Sequence, residues 1–188
     1  IYGPGDVHGL SPRVLCAAVY RHLGEKMKLA WDGKLRCNTV HVRDVAAACW
    51  HVAHMESSAA LTFNLSDKSD SSQASLAGVL EQIFNIQTGF AGVVASSAMR
   101  AFGVKRVADD YNEKHMSAWQ EMCKASGIHS TALTPYIDAE LLSHNHLAIS
   151  GAAIEETGFM YEYPYLNAGS LNEQVDTYVA QQLMPPLG

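Results

Sequence analysis

Three residue types in this sequence are spaced so that they could do chemistry. Histidine is the first: His51 and His54 lie three apart in one helical stretch, and His144 and His146 flank Asn145. Neutral imidazoles so placed can ligate a metal, but no Asp or Glu joins either pair in a ligand pattern, so no metal site is predicted. Cysteine is the second. Cys16, Cys37, Cys49 and Cys123 lack metal-type spacing and are expected to be reduced thiols. Glycine is the third: Thr88-Gly89-Phe90-Ala91-Gly92-Val93-Val94-Ala95 spells T-G-x-x-G-x-x-A. In such a turn the backbone can approach a pyrophosphate at a helix N-terminus, but only where a strand precedes it in a βαβ unit. No apolar strand is evident upstream, and an ordinary turn between helices is expected.

Tyrosine acid–base chemistry wants a lysine four residues on, because a nearby ammonium lowers the phenol's pKa. None of the eight tyrosines has one; Tyr111 comes nearest, with His115 at that position. No catalytic residue is therefore predicted within this chain. His41 alternates with Val40 and Val42 and is expected to be a partly buried strand histidine with a local hydrogen bond.

The elements that would position these groups can be read from periodicity. Residues 38–55 organise the chain: Thr39-Val40-His41-Val42 reads as a short strand, and Val45, Cys49, Trp50 and Val52 recur at helical spacing after it. Asp44 stands where an N-cap would. Upstream, Ser11-Pro12 should start a helix with Ser11 as cap, Val14, Leu15, Ala18, Val19 and Leu23 inward, and Gly24 as its end. Lys28-Leu29-Ala30-Trp31 reads as a strand closed by Asp32-Gly33, with Trp31 at its mouth. Downstream come a strand at 60–66, a polar loop from Ser66 to Ser75, and a helix carrying Leu76, Val79, Leu80, Ile83 and Phe84 on one face. A helix at 93–102 broken by Gly103, another at about 110–126, a short one from Thr134 to near Leu142, and one from Ser150 to Gly158 follow. Ser170-Leu171-Asn172-Glu173 reads as the capping box of the last helix. The fold class expected is α/β, mostly helical with a few short strands.

Three further pieces join 38–55 in a recognisable order. Val40-His41-Val42-x-Asp44-Val45-Ala46 resembles the V-H-V-x-D-V-A segment of extended short-chain dehydrogenases/reductases, the NAD-dependent epimerase/dehydratase family. Ile1-Tyr2-Gly3-Pro4-Gly5-Asp6 is similar to that family's V-Y-G-P-G-D turn, and Phe63-Asn64-Leu65-Ser66 to its Y-N-V strand. Leu147-Ala148-Ile149-Ser150 through Gly158-Phe159-Met160-Tyr161 resembles the closing segment. The likeness covers nearly all of residues 1–188, read as one domain, but only the C-terminal, substrate-binding half of a Rossmann-type fold. The opening at Ile1, without initiator Met, is accordingly expected to mean that a dinucleotide-binding half is missing.

What the resemblance implies is the substrate-binding part of an NAD(P)-dependent epimerase, dehydratase or reductase acting on a small carbonyl or hydroxyl compound. A non-catalytic binding or regulatory module of the same ancestry is the alternative. NAD or NADP would be the cofactor of the whole enzyme, touched here by Tyr2, Gly3 and Pro4, and not held tightly by this chain alone. Asp6, Leu10, Ser11, Ala30, Trp31, Arg36, Cys37 and Asn38 would line the substrate pocket. The Arg that binds diphosphate in UDP-sugar epimerases is replaced here by Cys37, with Arg36 one residue off, so a less charged substrate is implied. A homodimer is possible in this family. An apolar surface around Ile1, Tyr2, Val40 and Val42 is expected where the missing half would pack.

Composition narrows the partners. A net charge of −6 with no Lys/Arg-rich run disfavours nucleic acid and anionic membranes. The longest uncharged apolar stretch, 89–99, is about half of a bilayer crossing. A cytoplasmic protein is expected.

Overall fold

The computed structural model describes residues 1–56, 61–138 and 145–187. The protein is α/β and mostly helical, with one two-stranded parallel sheet. In chain order the elements are α1 (Ser11–Leu23), β1 (Met27–Leu29), α2 (Val42–Ala53), α3 (Gln73–Phe84), β2 (Thr88–Phe90), α4 (Val93–Ala125), α5 (Ala152–Glu155) and α6 (Ala168–Ala180). β1 and β2 pair in register Met27↔Thr88, Lys28↔Gly89 and Leu29↔Phe90.

α1 is the central element. It packs on α3, α4 and β1, so Val14, Leu15, Cys16, Ala17 and Val19 all lose their water, more than a single amphipathic face would. Gly24 ends it in the left-handed region, with the Gly24 and Glu25 N–H groups donating to Arg21 and Tyr20 carbonyls. From α3 come Leu76, Leu80 and Phe84, spaced four apart and fully buried, as the periodicity predicts. α6 adds Leu171, Val175 and Tyr178, and α4 adds Trp119 and Cys123 to the same core. A smaller cluster of Val40, Ala48, Ile154, Phe159 and Tyr161 lies under α2.

Several expectations are corrected. Thr39–Val42 is not a strand: only Tyr2 and His41 form an isolated parallel bridge, and α2 starts at Val42. His41 is the N-cap, its Nδ1 accepting the Arg43 N–H, while Asp44 sits inside the first turn and points elsewhere. Ser11 is the first residue of α1 after an N-cap at Leu10, because the nearby Asp6 carboxylate serves the free N–H groups there. Residues 61–66 form no strand, since no described neighbour pairs with them along their length. Gly103 does not break α4, which runs 33 residues without interruption; an interior glycine costs a helix only about 1 kcal/mol against alanine.

Thr88–Phe90, read as part of a turn between helices, is strand β2. Trp31 lies beyond β1 and adopts a positive φ of 66°. The last helix begins three residues early, with Asn167 as N-cap and Ser170 reciprocating from the third position. Between Ser150 and Gly158 only the one-turn α5 forms. Residues 134–138 are not helical, and the rest of that expected helix lies outside the described residues. Tyr2 and Val40 are buried rather than exposed; of that expected patch, Ile1 stands out at 62% exposure. No helix is long and apolar enough to cross a membrane among the described residues.

Candidate functional site

The N-terminal loop is bound to α6 by a buried polar network. Asp6 is its centre: Oδ1 accepts from the His8 and Gly9 N–H groups at 3.0 and 2.6 Å, and Oδ2 from Leu10 and Ser11 N–H at 2.8 and 3.0 Å. This places a carboxylate against the positive end of α1. Ser11 Oγ donates to Asp6 and lies 2.6 Å from the Tyr178 hydroxyl, to which Gln174 Nε2 also donates at 2.6 Å. Tyr178 reaches the Asp6 carbonyl, and burial pushes its phenol above its ordinary pKa.

Of Tyr2, Gly3 and Pro4, expected to touch the cofactor, the first two enter this network. Tyr2 is fully buried with its hydroxyl donating to Ser170 Oγ at 3.2 Å, and Gly3 N–H donates to Gln174 Oε1 at 2.7 Å. Gly3 has φ of +114°, and a Cβ there would meet His41 Nε2 at 2.7 Å. Pro4 is half-buried beside them.

The expected substrate positions separate into three places. Asp6, Leu10 and Ser11 face the α6 network. Arg36 pairs with Asp70, Cys37 N–H donates to Ser71 O, and Asn38 Nδ2 donates to Ile149 O at 2.9 Å, which together tie the 36–38 segment to its neighbours. Ala30 and Trp31 line a cavity.

That cavity, of about 90 Å3, lies between α1, β1 and α4. Taking one water-sized position as ~10–15 Å3, it has room for about six to nine non-hydrogen atoms. Met27, Leu29, Leu35, Ala91 and Ala108 supply much of its wall. Trp31 closes one side, its left-handed backbone held by its N–H donating to Ser96 Oγ at 2.7 Å and its carbonyl accepting from Gly92 N–H at 2.8 Å. A bulky residue at positive φ stores about 1–3 kcal/mol of strain, which the fold tolerates here for the sake of this wall.

Of the cavity's polar groups, Cys16, Tyr111 and His115 stand out in the sequence for other reasons, but nothing there brings them together or adds Tyr20. Cys16 and Tyr20, four apart on α1, meet Tyr111 and His115, four apart on α4. That doubled spacing, which puts each pair on one helix face, is the signal that could have found them. The His115 ring lies edge-on to Tyr20 with Nε2 3.4 Å from the hydroxyl, and Nδ1 is 3.6 Å from Cys16 Sγ. Burial, helped by the Lys114 charge, lowers the His115 pKa from 6.5 to about 4, while burial raises the Cys16 thiol to about 12. At neutral pH the pair is therefore thiol and imidazole. A thiolate nucleophile needs the opposite shifts.

No protein-family model matches this chain, and neither does any curated protein.

The three described members of the two spaced histidine pairs are each engaged in a hydrogen bond. His51 Nε2 is 2.8 Å from Thr157 Oγ1, His54 Nδ1 is 2.9 Å from the Trp50 carbonyl, and His146 Nδ1 accepts the Arg36 N–H. His144 lies outside the described residues. Among those described, no three His, Cys, Asp or Glu side chains gather as a metal site. The Gly string does open a helix after a parallel strand, contrary to expectation. Its turn nevertheless fits a pyrophosphate poorly, because the Ala91 and Gly92 N–H groups already donate to Leu29 and Trp31 carbonyls. A phosphate cradle needs such amides free.

Proposed function

We propose that this chain is the substrate-binding part of an NAD(P)-dependent epimerase, dehydratase or reductase, and that the cavity between α1, β1 and α4 receives a small, uncharged, largely apolar carbonyl or hydroxyl compound. The observation carrying this reading is the cavity itself: an apolar wall with a few convergent polar groups is the usual form of a small-molecule site. Support comes from the ordered likeness of Ile1–Asp6, Val40–Ala46, Phe63–Ser66 and the closing segment to that enzyme family, and from Ala30 and Trp31 lining the cavity.

Hydride and tyrosine chemistry would have to come from outside residues 1–188. The sequence has no Tyr-x-x-x-Lys pair, and the Ala91-Gly92 turn fits a dinucleotide poorly. Those two observations favour a second reading, a binding module of the same ancestry without catalysis. Calorimetry separates the possibilities. The chain should bind small alicyclic or aromatic carbonyl or hydroxyl compounds and show no micromolar affinity for NADH or NADPH. Tight, stoichiometric dinucleotide binding would overturn the division of labour, and failure of every small apolar compound would overturn the cavity's role.

A further inference from the structure

We propose that the Tyr20–His115 pair recognises an alcohol hydroxyl at the buried end of the ligand, in preference to a carbonyl or a carboxylate. This deepens, and rests on, the reading of the cavity as a small-molecule site.

The Pro135 carbonyl, which can only accept, lies 3.4 Å from Cys16 Sγ and also takes a hydrogen bond from the His115 ring, whose Nδ1, 3.6 Å from that sulfur, is the nitrogen on this side. Nδ1 therefore carries the ring proton and Nε2 presents its lone pair, the tautomer being set by the bond at the other nitrogen. Nε2 faces the Tyr20 hydroxyl at 3.4 Å, beyond the usual 2.7–3.2 Å range, so neither group is well satisfied by the other. Both residues are almost wholly buried and both line the cavity.

A ligand oxygen in the cavity beside the pair, at the apex of a triangle whose base is their 3.4 Å separation, would accept from Tyr20 O–H and donate to His115 Nε2. A hydroxyl does both. A ketone can accept from Tyr20 but leaves the Nε2 lone pair without a donor, and a buried unpaired acceptor loses free energy. A carboxylate brings a charge that the neutral imidazole does not balance. The cations lining the cavity, half-buried Arg13 and exposed Lys28, retain solvent contact.

Cyclohexanol, cyclohexanone and methylcyclohexane are about the size the cavity admits and differ in the oxygen alone. Titrated into the 188-residue chain labelled with 15N-histidine, cyclohexanol should bind about five- to tenfold more tightly than either of the others, and only it should shift the His115 Nε2 resonance strongly. Tyr20→Phe should lower cyclohexanol affinity by a similar factor and leave methylcyclohexane unchanged. Equal affinity for all three probes, or preference for the ketone, would overturn the hydroxyl assignment while leaving the cavity as a binding site. If none of the three bound, the cavity reading would fall and this inference with it.

Discussion

The Asp44 carboxylate accepts the backbone N–H of Tyr163 at 3.1 Å, and its other oxygen accepts that of Glu162 at 2.7 Å. Asp44 thus fastens the first turn of α2 to the segment that leads into α6, while His41 fills the capping position and stacks on the Tyr163 ring at 3.8 Å. Asp44→Ala would strand two N–H groups beside a buried site and should destabilise the protein by about 2–4 kcal/mol. Asp44→Asn, which a helix cap would tolerate almost freely, should still cost ~1 kcal/mol or more, because the amide offers one acceptor where the carboxylate offers two. Urea unfolding of both variants checks this; an innocuous Asn would return Asp44 to a capping role.

Gly3 and His41 are sterically coupled. Gly3→Ala must carry a side chain at φ +114° and push its Cβ toward His41 Nε2, so a loss of about 2 kcal/mol or more is expected. The same change made in a His41→Ala background should cost measurably less, since the collision with the ring is gone and only the 2.9 Å approach to Val42 Cγ1 and the backbone strain remain. Strict additivity in that double-mutant cycle would show that the two residues do not press on each other.

Acid should destabilise the fold through histidine. Burial lowers the folded pKa of His115 from 6.5 to about 4 and lowers that of His41 as well. Between those limits the unfolded chain binds more protons than the folded one, so the stabilisation is complete above the unfolded value near 6.5 and drains away as pH falls toward 4. Asp67, whose pKa burial raises, works in the opposite sense near its own titration. Stability measured from pH 7.5 to 4.5 should decline in wild type and decline less steeply in His115→Gln; identical slopes would contradict the assignment.

The cysteines should separate by reactivity. Cys16 is fully buried with its thiol raised to about 12, whereas Cys49 lies on the exposed face of α2. Iodoacetamide at pH 8 should label Cys49 in the native protein and reach Cys16 only in denaturant. Native labelling of Cys16 ahead of Cys49 would show that the cavity wall opens readily.

Much of the helical framework was legible because it depends on local spacing. Leu76, Leu80 and Phe84 announce α3, and Gly24 and Gly127 mark helix ends that the structure keeps. The start of α6 was misplaced by rival local signals: Asn167 and Ser170 both suit a cap, and Ser170 instead serves as the third residue that answers Asn167. β2 was hidden because it is three residues long with Gly89 between its two strand-favouring residues, and it exists through pairing with β1. Asp44 looked like a cap because its real partners, Glu162 and Tyr163, are far away in sequence. The cavity was half legible. The family likeness names Ala30 and Trp31, which line the cavity, but Tyr20 and His115 lie 95 residues apart in sequence and meet through the crossing of α1 and α4, which no local spacing specifies.

Where a small apolar ligand sits decides whether the cavity between α1, β1 and α4 is the binding site. Amide chemical-shift mapping of the 188-residue chain with cyclohexanol tests it most directly. The largest changes should fall on Ala30, Trp31, Ala108 and His115, with the α6 network around Gly3 and Gln174 unmoved. Changes centred instead on Trp119 to Leu133, or no localised change at saturating ligand, would contradict it.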